Sequence, residues 1–237
     1  MVYYIQIVFM KKEAIKVSII LPTYNEEKSI VRMIRDIKKL KKKFTLEIIV
    51  ADGGSSDRTV SYAEKEKVRV IKFPKKRGKG IDFWQAGLKA IGDYIVQIDA
   101  DYQFQPKEIP LLVNELDKGA DIAIGKRIDH GDAPFIRTLG NFLLTFVTSI
   151  VVGRKISDSL AGFKAIRKNK FRKLNLTERH FGYEAETVVK SIRMHYRLVE
   201  VPVSYTRRNT GISQVSPLKD GFLILKSIIK ARLAPLK

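Results

Sequence analysis

From Val17 onward, short apolar runs alternate with segments whose apolar residues recur at helical spacing. Residues 17–21 are one such run, and in 27–40 the residues Ile30, Val31, Ile34, Ile37 and Leu40 line one helical face with basic residues between them. The same pattern predicts strands at 47–51, 68–73, 94–99 and 122–125 and helices at 57–66 and 80–91. Strands alternating with helices imply βαβ units, right-handed crossovers and an α/β fold built on a mostly parallel sheet. The continuous apolar strands agree, because such a sheet is covered on both faces.

The polar residues collect just past the strands. After the first comes Pro22-Thr23-Tyr24-Asn25-Glu26, and after the second Asp52-Gly53-Gly54-Ser55-Ser56-Asp57. The third is followed by Lys75-Lys76-Arg77-Gly78-Lys79-Gly80 and the fourth by Asp99-Ala100-Asp101. Ligands of open parallel sheets bind outside the carboxyl ends of the strands, so four polar loops are expected to converge on one crevice. Along extended chain Asp99, Asp101 and Gln103 would aim their oxygens to one side. Such hard donors suit Mg or Mn, which complete an octahedral shell with substrate phosphates and water. Tyr24 can lie against a base, Asp52 can accept from base or ribose, and Lys79 between two glycines can meet a diphosphate as a point charge. Each loop alone also has a structural explanation: Asn25 or Asp57 as a helix N-cap, Gly78 and Gly80 as turn formers, Asp99 or Asp101 as a strand end. Competing nucleotide folds fit less well. No G-x-G-x-x-G follows the first strand, and Arg77-Gly78-Lys79-Gly80 lacks Walker spacing. The rigid, acidic 22–26 loop is the opposite of the glycine-rich basic loop that a sugar-1-phosphate nucleotidyltransferase would want.

Composition adds a bias toward anionic partners. The 237 residues carry 45 Lys and Arg against 25 Asp and Glu, a formal charge of +20, which predicts attraction to phosphate in nucleotides, anionic lipid or nucleic acid. Cysteine is absent, so there is neither a disulfide framework nor a thiolate metal site. Residues 1–9 lack the basic start and cleavage site of a secretory signal. No stretch reaches the roughly 18–20 apolar residues of a membrane span. The expected organisation is an extension or edge strand over 1–16, a catalytic domain over 17–212 and a basic amphipathic helix within 213–237.

Two segments point to a surface. Residues 138–152 hold no charge and are flanked by Arg137 and by Arg154-Lys155, which describes a buried helix or one lying in a lipid interface. In 217–233, Phe222, Leu225, Ile228, Ile229 and Leu233 alternate with Lys219, Lys226, Lys230 and Arg232 as in a basic amphipathic helix.

The four loops, with Ala161-Gly162-Phe163-Lys164-Ala165-Ile166-Arg167, Glu200-Val201-Pro202-Val203 and Arg208-x-x-Gly211-x-Ser213, resemble the GT-A glycosyltransferases of family 2. More narrowly they resemble dolichyl-phosphate mannose synthases and other polyprenyl-phosphate hexose synthases. The resemblance runs from about Val17 to about Ile228. It implies that Pro22, Tyr24, Glu26, Val50 and Asp52 hold the nucleoside and that Asp99, Ala100, Asp101 and Gln103 hold metal and diphosphate. It further implies that Arg127, Arg137 and Arg208 meet the phosphate of sugar or acceptor. One departure stands out: the family usually has lysine six residues after that last arginine, where this chain has Gln214. Either Lys219 or another cation substitutes, or the loop grips phosphate less firmly. Members of the family often continue into membrane spans, so peripheral binding, a membrane-anchoring partner protein or a truncated sequence is expected here.

The chemistry follows from the acceptor. The Glu-Asp pair that supplies a base in many similar enzymes does not occur in this chain. A phosphate monoester needs none, because its second pKa is about 6 and it is already an oxyanion. It needs cations, which Lys126, Arg127 and Arg137 would supply, although a solvated basic surface explains them equally. Asp158 would orient sugar or acceptor, or simply belong to a loop. The expected reaction is in-line transfer with inversion of a hexose, most readily mannose from GDP-mannose, onto dolichyl or polyprenyl phosphate at the cytoplasmic face of the membrane, assisted by Mg or Mn. UDP-glucose is the rival donor. The alternative from another class, a basic nucleic-acid-binding module, lacks any RNP, helix-turn-helix or zinc signature and leaves the acidic loops unexplained, so no nucleic-acid partner is expected.

Overall fold

The computed structural model describes residues 16–74, 77–128, 135–206 and 217–235. Strands β1 (Lys16–Thr23), β2 (Thr45–Asp52), β3 (Arg69–Lys72) and β4 (Tyr94–Gln97) run parallel, joined by helices α1 (Ile30–Lys38), α2 (Thr59–Lys65) and α3 (Lys79–Leu88). Then follow α4 (Ile109–Asp117), β5 (Ile122–Arg127), α5 (Phe135–Val152), β6 (Lys164–Arg167), α6 (Lys168–Leu174), α7 (Gly182–Arg193), β7 (Leu198–Val203) and α8 (Pro217–Leu233). The seven strands form one sheet in the order β3-β2-β1-β4-β6-β5-β7. Only β6 runs against its neighbours, β4 and β5, so the sheet is mixed but mostly parallel.

Burial accounts for the agreement with the apolar pattern. Val17, Ile19, Ile20 and Leu21 of β1 are wholly enclosed because helices cover both sheet faces, and Ile30, Met33, Ile34 and Ile37 form the inward stripe of α1. Two differences from the expected boundaries shape the site. Helix α1 begins at Ile30 rather than at 27, because Asn25 takes a left-handed conformation (φ 55°) and the turn closes on the Glu26 carbonyl, which accepts from the Ser29 and Ile30 amides. Strand β4 ends at Gln97, so Asp99, Asp101 and Gln103 do not lie on extended chain as expected. They sit in a turn where Tyr102 has φ 62° and the Gln103 amide donates to Asp101 Oδ1 at 3.1 Å.

A second, smaller core lies between α5, α7 and α8. Ala185 and Val189 of α7 meet Ile224, Ile228 and Ala231 of α8, with Leu144, Val147 and Val151 of α5 closing the cluster. The 138–152 segment therefore buries one face only. Its other face exposes Leu139, Phe142, Leu143, Phe146 and Ile150, and α8 exposes Phe222, Leu223, Ile229 and Leu233 beside it. No helix among the described residues is long and apolar enough to cross a membrane.

Candidate active site

The loops past β1, β2 and β4 border one cleft of 370 Å³ together with the start of α3, the 180–184 turn and parts of α5 and α8. Side chains stitch the first two loops together. The Asn25 amide donates to Ser55 Oγ (2.9 Å) while Asn25 Oδ1 accepts from the Ser56 amide (2.8 Å), and the Glu26 and Glu27 amides donate to Thr59 Oγ1 (2.8 Å) and Asp57 Oδ2 (3.1 Å). Asn25 and Asp57 thus tie the two loops together and are not the expected N-caps, which are Ser29 for α1 and Arg58 for α2. Pro22, Tyr24 and Glu26 border the cleft.

Val50 and Asp52 are not brought to the cleft wall. Val50 is enclosed in the core of β2, and Asp52 closes its own loop by accepting from the Gly54 and Ser55 amides, each at 3.0 Å, and from Ser55 Oγ at 2.5 Å. What borders the cleft nearby is Gly53, with Asp82 of α3 behind it.

The acidic end of the cleft is formed by Asp99, Ala100, Asp101 and Gln103. Lys79 Nζ lies 2.8 and 2.9 Å from the two oxygens of Asp99 and 2.9 Å from Glu184 Oε1. Burial disfavours the Lys79 charge, but Asp99 and Glu184 outweigh it and raise its pKa well above the ordinary lysine value. Lys79 is therefore a fixed cation held between two carboxylates. Its placement depends on Gly78, at φ 116°, where an added Cβ would strike the Arg179 carbonyl at 2.2 Å. Beneath the acids, Gly162 makes room for Asp99: a Cβ there would lie 2.3 Å from Oδ2. Deeper, Lys164 of β6 stands under Tyr183, 5.1 Å from its ring centroid, and burial pulls its pKa down to about 8 despite the opposing pull of Glu184.

The donor set suits a hard divalent cation. Asp99 and Asp101 supply carboxylate oxygens, and Gln103, whose Nε2 donates to the Thr206 carbonyl at 3.1 Å, keeps its amide oxygen for a further ligand. No cluster of three His, Cys, Asp or Glu residues able to hold a metal occurs among the described residues. A cation here would draw its remaining ligands from phosphate and water, the usual habit of magnesium.

Arg127 is tied to a carboxylate within the protein. Its Nε and Nη2 grip Asp158 Oδ2 and Oδ1 at 2.6 and 2.7 Å in a buried bidentate pair, and its guanidinium lies over the Tyr205 ring at 5.2 Å. Burial lowers its basicity but Asp158 more than compensates, so its pKa is raised. Arg127 still borders the cleft, with its charge balanced by Asp158. Asp158 is in turn held by its amide to Glu200 Oε1 (3.0 Å). Arg208 and Gln214 lie outside the described residues, as does the side chain of Arg137 on α5. Lys219 is exposed on α8.

Glu184, Asp82, Asn141, Phe181 and Asp220 border the cleft and were not singled out by sequence. Glu184 follows an aromatic-rich 181–183 stretch and carries no local signal. It matters only because α7 is carried against α3, setting Glu184 beside a lysine 105 positions away.

A seven-stranded, mostly parallel sheet with flanking helices and an acidic cleft at its strand ends is GT-A-like. Residues 18–174 match the family model for glycosyl transferase family 2, and the chain belongs to that family. It is 33% identical over 210 residues to a dolichol-phosphate mannosyltransferase of Pyrococcus furiosus, across 84% of this chain but 59% of that protein's length. It is 29% identical over 215 residues to a dolichyl-phosphate hexose transferase of Haloferax volcanii, across 90% of this chain and 92% of the relative. The fold is similar to that of glucosyl-3-phosphoglycerate synthase from Mycobacterium tuberculosis, solved with Mn2+, UDP and glucosyl-3-phosphoglycerate: TM-score 0.74, 22% identity, 93% of this chain and 81% of that one.

Proposed function

We propose that the protein transfers a hexose, mannose from GDP-mannose, onto dolichyl or polyprenyl phosphate at a membrane surface. The observation that carries this reading is the position of α5 and α8. Asn141, Asp220 and Ile224 of these helices border the acidic cleft, while their outer faces expose Phe142, Phe146 and Phe222 with Lys219 and Lys226 nearby. An apolar face edged by lysines suits an anionic bilayer surface and would set the cleft beside a lipid-borne phosphate. The relatives that act on dolichol phosphate support the same acceptor class.

The acceptor phosphate attacks the anomeric carbon, the bond from that carbon to the donor diphosphate breaks, and configuration inverts. No proton is moved, because a phosphate monoester with a second pKa of about 6 arrives ionised. Lys79, held protonated by Asp99 and Glu184, supplies fixed positive charge where diphosphate charge develops. A bound Mg or Mn, held by Asp99, Asp101 and Gln103, would contribute Lewis-acid stabilisation of the leaving diphosphate. Arg127, oriented by Asp158, faces the acceptor side of the cleft, with Arg137 and Arg208 as its proposed companions. Pro22, Tyr24 and Glu26 hold the nucleoside.

The test is a panel of GDP-mannose, UDP-glucose and other nucleotide sugars with polyprenyl phosphate vesicles and Mg or Mn. Lipid-dependent transfer from GDP-mannose, lost in Asp101→Asn, is expected. Transfer surviving that substitution would overturn the metal role, and transfer without lipid phosphate would overturn the acceptor.

A further inference from the structure

Asp82 is a cleft carboxylate with no part in the chemistry above. It is 3% exposed, sits on the first turn of α3, and borders the same end of the cleft as Tyr24 and Gly53. Arg77 Nη2 donates to its Oδ1 at 3.1 Å and is itself braced by Gln85 Oε1 at 3.0 Å. Its other oxygen faces Gly53. A Cβ added at Gly53 would lie 3.1 Å from Oδ2, so the missing side chain opens a window from the carboxylate to the cleft. Asp52, the acid that the sequence suggested for the base, is turned into its own loop.

We propose that Asp82, seen through the window at Gly53, is the residue that selects the donor's base, and that it selects guanine; this rests on the reading of the cleft as a nucleotide-sugar site. An ionised carboxylate only accepts hydrogen bonds. Guanine presents two adjacent donors, N1–H and the 2-amino group. Uracil presents one N–H between two carbonyls whose oxygens would face the carboxylate, and adenine presents an amino group beside a ring-nitrogen acceptor. Only guanine offers Oδ2 two adjacent donors and no acceptor, and the two lone pairs of that one oxygen can take both. A site built around buried hydrogen-bonding groups rejects analogues that leave those groups unpaired. Tyr24, half-buried at the same end, offers the ring a face. The environment is also costly for the ion. Burial raises the Asp82 pKa to about 6, Asp52 adding to the rise and Arg77 opposing it, so a ligand with two N–H donors restores what the protein withholds.

The experiment is equilibrium binding of GDP, IDP and UDP with Mg2+ to the full chain at pH 7.5. IDP is guanine's analogue without the 2-amino group. Wild type should bind GDP about tenfold more tightly than IDP, the scale of one lost hydrogen bond to a buried charged group, with UDP weaker still. Asp82→Asn should bind GDP and IDP alike, while UDP affinity at or above the wild-type value shows that the cleft is intact. Gly53→Ala, which covers Oδ2 without removing the acid, should give the same levelling. Equal GDP and IDP affinity in wild type, or a GDP preference that survives Asp82→Asn, overturns the assignment and leaves hexose transfer to lipid phosphate standing. Tighter binding of UDP than of GDP overturns the assignment and the GDP-mannose donor together.

Discussion

The Arg127–Asp158 pair allows the sharpest separation of architecture from chemistry. Two hydrogen bonds of 2.6 and 2.7 Å join side chains that are 7% and 5% exposed, and Asp158 Oδ1 also accepts from the Leu160 amide at 3.3 Å. At an effective dielectric near 20, unit charges about 4 Å apart attract by about 4 kcal/mol, and removing both from water offsets much of that. Truncating one partner leaves the other buried and uncompensated, which costs about 3–5 kcal/mol. Arg127→Met and Asp158→Asn should each lower the urea-unfolding free energy by about that much, less for the neutral asparagine, which keeps one acceptor. The double variant Arg127→Met/Asp158→Leu should recover most of the loss, because apolar residues of similar volume replace a buried pair almost neutrally. Transfer activity then gives the second readout. If Arg127 also serves the acceptor phosphate, the double variant regains stability without regaining activity. A loss below about 1 kcal/mol in Arg127→Met would refute the reasoning, since that is the range of a solvent-screened pair.

Other expectations follow from the same geometry. Gly162→Ala sets a methyl 2.3 Å from Asp99 Oδ2, so Asp99 must move off Lys79; transfer should fall at least tenfold while circular dichroism stays unchanged. Asp82 has a pKa raised to about 6 from the ordinary 3.8, so the folded state holds more protons than the unfolded state between these values. Its contribution to stability is therefore present at low pH and lost as pH rises through 6, whereas GDP affinity should move the opposite way and weaken as pH falls through 6; both trends should flatten in Asp82→Asn. Phe142→Asp with Phe222→Asp, at positions 66% and 69% exposed, should leave thermal stability nearly unchanged but abolish sedimentation with anionic vesicles.

Much of the fold was legible because apolar periodicity reports burial, and the inner strands of this sheet are buried on both faces. Residues 17–21, 47–51 and 94–99 read as strands for that reason, the last running two residues past the strand's end at Gln97. The antiparallel direction of β6 was not legible, because Lys164-Ala165-Ile166-Arg167 carries no mark of direction. In the site, the loops were found from residues whose type announces chemistry: Tyr24, Lys79, Asp99 and Asp101. Asp82 and Glu184 escaped notice because an isolated acid in a helix reads as a surface charge until the helix is packed.

By itself the sequence determined the α/β alternation, the placing of polar loops past the strands and the membership of a glycosyltransferase family. These follow from local patterns and short motifs that survive without coordinates. Only the tertiary structure decided that Asp99, Asp101 and Gln103 share a turn rather than a strand, that Arg127 is committed to Asp158, that Lys79 lies between Asp99 and Glu184, and that Asp52 turns away while Asp82 shows through the window at Gly53. Apart from the 99–103 turn and the Asp52 loop, these are pairings between residues far apart in the chain. Which acid meets which base is settled by how helices dock on the sheet, and by where a glycine leaves space for a neighbour to be seen.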